Sequence, residues 1–134
     1  MSNAASPSSS GPNDQAERIR VLYADDEEDV REVFAAIFSG DFDVTCVAGG
    51  EEALEALAAS DGGWDVLVSD MRMEPMRGSV LLAKTYEQHR DTQRILLTGY
   101  SDHDDLADAV NKGHVFAYVQ KPWDAEHLKL TITR

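Results

Sequence analysis

Basic residues are scarce in this chain. Lysine and arginine together number 12 against 25 aspartates and glutamates, which leaves a formal charge of −13 on 134 residues. A surface of that sign repels nucleic-acid phosphates and anionic lipid, so direct nucleic-acid or membrane binding by this segment is not expected. Cysteine is scarcer still. The lone Cys46 has no partner for an intramolecular disulfide, which fits a reducing, cytoplasmic setting. No apolar run is long enough to cross a bilayer, and no signal-peptide core is present. The four histidines, His89, His103, His114 and His127, fall at spacings that match no metal motif. The first seventeen residues, "MSNAASPSSSGPNDQAE", lack large apolar side chains. They cannot bury enough surface to offset the entropy of ordering, so 1–17 reads as a disordered tag or linker tail ahead of a folded unit at 18–134.

What remains alternates. Aliphatic and β-branched runs at 19–24, 42–48, 65–69, 94–98 and 116–120 read as strands. Helical patterns fill 29–39, 51–60, 79–90, 104–113 and 124–134. The first helix places Val30, Val33, Phe34 and Ile37 at helical spacing, and Gly113 is a candidate C-cap for the fourth. Strict alternation builds right-handed βαβ units. The fold class is therefore α/β, a doubly wound five-stranded parallel sheet with helices on both faces. Near-continuous apolar strands agree, since a parallel sheet is covered on both sides. The last helix keeps Leu128, Leu130 and Ile132 in an amphipathic pattern without a cap, which predicts truncation from a longer protein.

The polar residues fall at strand ends. Asp25 and Asp26 follow the first strand, Asp70 closes the third, Thr98 closes the fourth and Lys121 follows the fifth. Open α/β sheets bind ligands beyond the carboxyl ends of their strands, so these residues should converge. Asp70 is then an exposed reactive group on a rigid buried strand. Three clustered carboxylates repel by about 4 kcal/mol per close pair at an effective dielectric of about 20. Either one carboxylate stays protonated or a hard cation is bound, and an all-oxygen set suits Mg²⁺, with Mn²⁺ also possible. A carboxylate nucleophile, a cation, an ammonium and a hydroxyl together make a phosphoryl-accepting site. Singly, each residue has a plainer reading as a helix start, a cap, a strand end or a surface lysine. Jointly, the chemistry at four strand ends favours the site.

The segments "VLYADDEEDVR", "DVLVSDMRMEPMRG", "RILLTGYSD" and "YVQKPW" carry a resemblance to the receiver domain of two-component response regulators. The resemblance implies a flavodoxin-like strand order 2-1-3-4-5. It implies that Asp70 is the phosphoacceptor, taking its phosphoryl group from the phosphohistidine of a sensor histidine kinase or phosphotransfer protein. It implies Mg²⁺ ligation by Asp26, Asp70 and the backbone carbonyl of Arg72, with Asp25 acting through water. Thr98 would bond the phosphoryl oxygen and Lys121 would pair with it. Tyr118 matches the switch aromatic, and Lys121–Pro122 would be a cis bond. The readout face would run from the fourth helix through the fifth strand and helix, serving an output domain or a homodimer. Such a domain catalyses its own phosphorylation and dephosphorylation and is no conventional enzyme. "LLTGYSD" with "KPWD" is also similar to receivers joined to cyclic-dinucleotide phosphodiesterase, ATPase-type activator or kinase-like modules.

One departure stands out. Glu74 precedes Pro75 where the family places proline earlier, so the loop after the third strand should take a different path, and Arg72 and Tyr100 beside it could tune hydrolysis. An unphosphorylated pseudo-receiver serving as a docking module is the alternative. An FMN carrier on the same sheet is disfavoured, because "ADDEED" repels a phosphate. An aspartate-nucleophile phosphatase or dehalogenase wants a second aspartate where Arg72 stands.

Overall fold

The computed structural model describes residues 18–60, 63–112 and 114–134. Five strands run β1 (Arg20–Ala24), β2 (Asp43–Val47), β3 (Val66–Asp70), β4 (Gln93–Thr98) and β5 (Ala117–Gln120). Between and after them lie α1 (Glu28–Phe38), α2 (Gly50–Ala59), α3 (Gly78–Gln88), α4 (His103–Asn111) and α5 (Ala125–Thr133). The sheet is wholly parallel, in the order β2-β1-β3-β4-β5. This is the expected fold class and the implied 2-1-3-4-5 order. The tail at 1–17 and the Gly113 cap lie outside the described residues.

Alternate strand residues feed two cores. Val21 and Tyr23 of β1 face one side, with Val68, Ile95 and Leu97, and α1 and α5 cover it. Leu22 and Ala24 face the other, with Leu67 and Leu96, beneath α2 and α3. Tyr23 stacks on Phe34 at 3.9 Å between ring centroids, and Phe38 tilts against Phe34 at 4.7 Å.

That aromatic stack corrects the expected face of α1. The buried stripe is Phe34 and Phe38 with Val30 beside them, whereas Val33 and Ile37 are exposed. Four-residue spacing from Val30 carries the large rings inward and rotates the two aliphatic side chains off the core. On α5, Leu128 and Ile132 are buried one turn apart and Leu130 is exposed, against expectation. Asp124 caps this helix by accepting the His127 N–H at 3.0 Å. A short 3₁₀ turn, Tyr100–Asp102, precedes α4 and had no counterpart in the sequence reading.

The N-terminal ends of the strands are tied by two arginines. Arg94 is buried and donates to the carbonyls of Thr92 and His114, each at 2.8 Å, and of Arg90 at 3.1 Å. Arg20 donates to the Gly63 carbonyl at 2.9 Å and lies 4.2 Å over the Trp64 ring. The opposite ends of the strands carry the chemistry.

Candidate functional site

The sheet order reverses beside β1, which sits between β2 and β3. Beyond the carboxyl ends of β1 and β3 lies the crevice where such sheets bind ligands. Asp25 and Asp26 follow β1, and Asp70 is the last residue of β3. Thr98 ends β4, and Lys121 follows β5. The Lys121 N–H donates to the Thr98 carbonyl at 2.7 Å, which fixes the ends of β4 and β5 together. Lys121–Pro122 is cis, as the resemblance implied, and Glu74–Pro75 is cis too.

Asp70 is buried, not exposed as the sequence reading had it. It stays in the ladder, opposite Leu97 of β4, and the following Met71 N–H donates to the Leu97 carbonyl at 2.9 Å. From the other side Gly78 presses on its backbone. A Cβ on Gly78 would meet the Asp70 carbonyl carbon at 2.9 Å, so only glycine fits. The Lys121 ammonium forms an ion pair with Asp70 Oδ1. Apart from that ammonium, this buried oxygen has no hydrogen-bond partner among the described residues. Burial raises the Asp70 carboxyl above its ordinary range; Lys121 pulls it down, the Asp25 charge adds to the rise, and the Arg72 N–H opposes it.

Asp25 is also buried. Its Oδ2 accepts the Tyr23 hydroxyl at 2.8 Å and its Oδ1 the Glu27 N–H at 3.0 Å. Burial, and then the bond to Asp25, drives the Tyr23 phenol far above its usual range, so it stays a donor at any physiological pH. Asp26 is exposed and accepts the Glu74 N–H at 3.3 Å. Asp25, Asp26 and Glu27 each offer a carboxylate oxygen within 4.8 Å of the others. The sequence reading grouped Asp70 with Asp25 and Asp26. Asp70 stands apart from this tighter trio, which Glu27 completes, but lies close enough to Asp25 to feel its charge. Crowded carboxylates, hard oxygen donors throughout and a buried Asp70 oxygen short of partners suit a hard divalent cation.

Thr98 is buried, and Tyr118 is exposed on β5. Arg72 turns its side chain away along the loop. Its Nε donates to Asp102 Oδ1 at 3.1 Å and its Nη2 to the Ser101 hydroxyl.

A family model for the response regulator receiver domain matches residues 21–133. The chain belongs to that family. The regulatory protein AtoC of Escherichia coli K12 is 34% identical to this receiver over 116 residues, which are 86% of this chain and 24% of AtoC. The hydrogenase transcriptional regulatory protein HoxA of Cupriavidus necator is 30% identical over 112 residues, 84% of this chain and 23% of HoxA. The chain thus spans about a quarter of the length of these curated relatives. Among solved structures, a response regulator receiver domain protein from Clostridium thermocellum has a TM-score of 0.81 at 26% identity, with 86% of this chain and 91% of that chain covered. Receivers of this family generally bind Mg²⁺. Among the described residues, no helix of this receiver is long and apolar enough to cross a membrane.

Three participants escaped the sequence reading. Glu27 sits inside the quoted "DDEED" run, so its signal was present but unassigned. Tyr23 looked like any strand aromatic. Asp102 closes the quoted "RILLTGYSD", just ahead of the helical pattern at 104–113, and was given no role, yet it is buried.

Proposed function

We propose that this receiver accepts a phosphoryl group on Asp70 from the phosphohistidine of a sensor kinase or phosphotransfer protein. The observation that carries the reading is the Asp70 carboxylate itself. It is buried at a strand end, faces the Lys121 ammonium, and lies close enough to feel the Asp25 charge. A carboxylate oxygen of Asp70 attacks phosphorus, the phosphorus–nitrogen bond breaks, and the imidazole nitrogen leaves with its electron pair. Lys121 balances charge on the transferred oxygens, and the Thr98 hydroxyl donates to one of them. Asp25, Asp26, Asp70 and the Arg72 carbonyl would hold Mg²⁺ (or Mn²⁺), which supplies further positive charge to those oxygens. Water then attacks the same phosphorus, the bond to the Asp70 oxygen breaks, the carboxylate returns and inorganic phosphate leaves.

The surroundings support this role. Ile37 of α1 lines an apolar depression with Pro122 and Trp123, and Lys121 and Gly99 border it. A partner helix bringing a phosphohistidine to Asp70 would rest there. Val110, Phe116, Tyr118 and Leu130 also expose apolar surface, on and around α4, β5 and α5. Movement of Thr98 toward the phosphoryl group opens room for Tyr118 and biases that face toward an output module or a second copy.

Intact-mass spectrometry after incubation with acetyl phosphate tests the reading. One phosphate-sized gain is expected, absent without Mg²⁺ and absent in Asp70→Asn. No gain in the folded wild type with Mg²⁺ would favour the docking-module alternative.

A further inference from the structure

Asp102 is buried while Asp104 beside it is exposed. Its carboxylate has partners on two loops. Oδ2 accepts the Gly99 N–H at 2.7 Å. Oδ1 accepts Arg72 Nε–H at 3.1 Å and lies 3.8 Å from Arg77 Nη2. Arg77 also pairs with Asp105, and among the described residues its buried Nε has no hydrogen-bond partner, so the two carboxylates hold the guanidinium there. Gly99 directly follows Thr98. Arg72 and Arg77 lie on the segment between Asp70 and α3. That segment is not free to follow Thr98, because Gly78 is pressed against the Asp70 backbone and donates its N–H to the Met71 carbonyl at 2.9 Å. In this arrangement Lys121 holds Asp70 and Tyr118 is exposed, as suits an unmodified acceptor.

We propose that Asp102 is a positioning residue: it ties the Thr98–Gly99 corner to the acceptor loop through Arg72 and Arg77, and holds Thr98 at rest until Asp70 carries a phosphoryl group. The proposal rests on the reading of Asp70 as acceptor. Carrying Thr98 toward Asp70 pulls either Gly99 from Oδ2 or Asp102 from the arginines. Both are charge-assisted contacts in a partly dry setting, so their loss opposes the move. A weaker tie raises the fraction of chains ready to bind a ligand that needs Thr98 moved, and so tightens the apparent affinity for it.

The probe is beryllofluoride, which takes the place of a phosphoryl group on a carboxylate, titrated calorimetrically in the presence of Mg²⁺. Wild type, Asp102→Asn, Arg72→Gln and the double variant are compared. Each single variant should bind about fivefold tighter than wild type. The double should gain no more than the better single, since both changes act through the same Asp102–Arg72 contact. Unchanged or weaker binding by folded Asp102→Asn overturns the proposal, because a merely structural role predicts weaker binding. Fully additive gains overturn it as well. Should Asp102→Asn fail to fold, Arg72→Gln decides by the same criterion, its side chain being 57% exposed. A wild type that binds no beryllofluoride in Mg²⁺ overturns the acceptor reading instead, and this inference with it.

Discussion

The Lys121 ammonium closes on Oδ1 of Asp70 from the end of a different strand, with β4 lying between the two. The pair joins a half-exposed cation to a buried anion, and the anion bears the cost of burial. That imbalance has a measurable consequence in acid.

Burial holds the Asp70 carboxyl above its ordinary value of 3.8, so the folded chain binds that proton more tightly than the unfolded chain does. The stability linked to this group is fully present below the unfolded value and is lost as pH rises through the raised folded value. Asp70→Asn removes the loss. Its melting temperature without divalent cation should exceed that of wild type near neutral pH, and the gap should close as pH falls below about 4. Thermal melts across pH check this; a gap that widens in acid would contradict it.

Mg²⁺ should stabilise the folded chain by mass action. At a concentration about 100 times its dissociation constant the gain is about 2.7 kcal/mol. Asp26→Asn withdraws an exposed carboxylate from the Asp25, Asp26 and Glu27 cluster and should abolish most of that gain while leaving the metal-free midpoint nearly unchanged. Differential scanning calorimetry with Mg²⁺ and with chelator reads both.

Gly78→Ala drives a methyl group into the Asp70 backbone. Forced overpacking of this kind costs about 1–3 kcal/mol, to be read from the urea midpoint. Because the shift falls on Asp70, phosphate uptake from acetyl phosphate should slow as well.

On α1, Phe34→Ala should cost about 3–5 kcal/mol, since it removes a ring stacked on Tyr23. Val33→Ala should stay within about 0.5 kcal/mol, because Val33 is exposed. Equal losses at the two positions would restore the face expected from the sequence.

That face shows where sequence reading stopped. Apolar spacing marked α1 as amphipathic, but Val30, Val33, Phe34 and Ile37 fit one stripe almost as well as Val30, Phe34 and Phe38 do. The choice falls on Phe38, whose ring packs against Phe34, Phe42 and Trp123 and carries the stripe inward. The strand ends were far more legible. Asp25, Asp26, Asp70, Thr98 and Lys121 each sit where an aliphatic run stops, and a parallel sheet brings such positions together whatever their distance along the chain. The depth of Asp70 was not legible. It depends on the ladder continuing through that residue and on Gly78 closing over it. Nor was Asp102, since nothing in a run of acids says which one turns inward.

Arg94 and Arg20 divide the sheet into a fastened end and a working end. At the fastened end, guanidinium groups are spent on main-chain carbonyls, and the Phe116 N–H bonds the Arg94 carbonyl at 2.8 Å. At the working end, main-chain bonds such as Lys121 N–H to the Thr98 carbonyl are joined by side-chain charge pairs, Lys121 with Asp70 and Arg72 with Asp102, and these pairs a newly arrived anion can outbid. Displacement in this domain should therefore grow along each strand from its amino to its carboxyl end, so that the sheet deflects like a cantilever. A module joined near α5 would feel the larger excursion if it leaned toward Lys121, and almost none if it leaned toward Arg94.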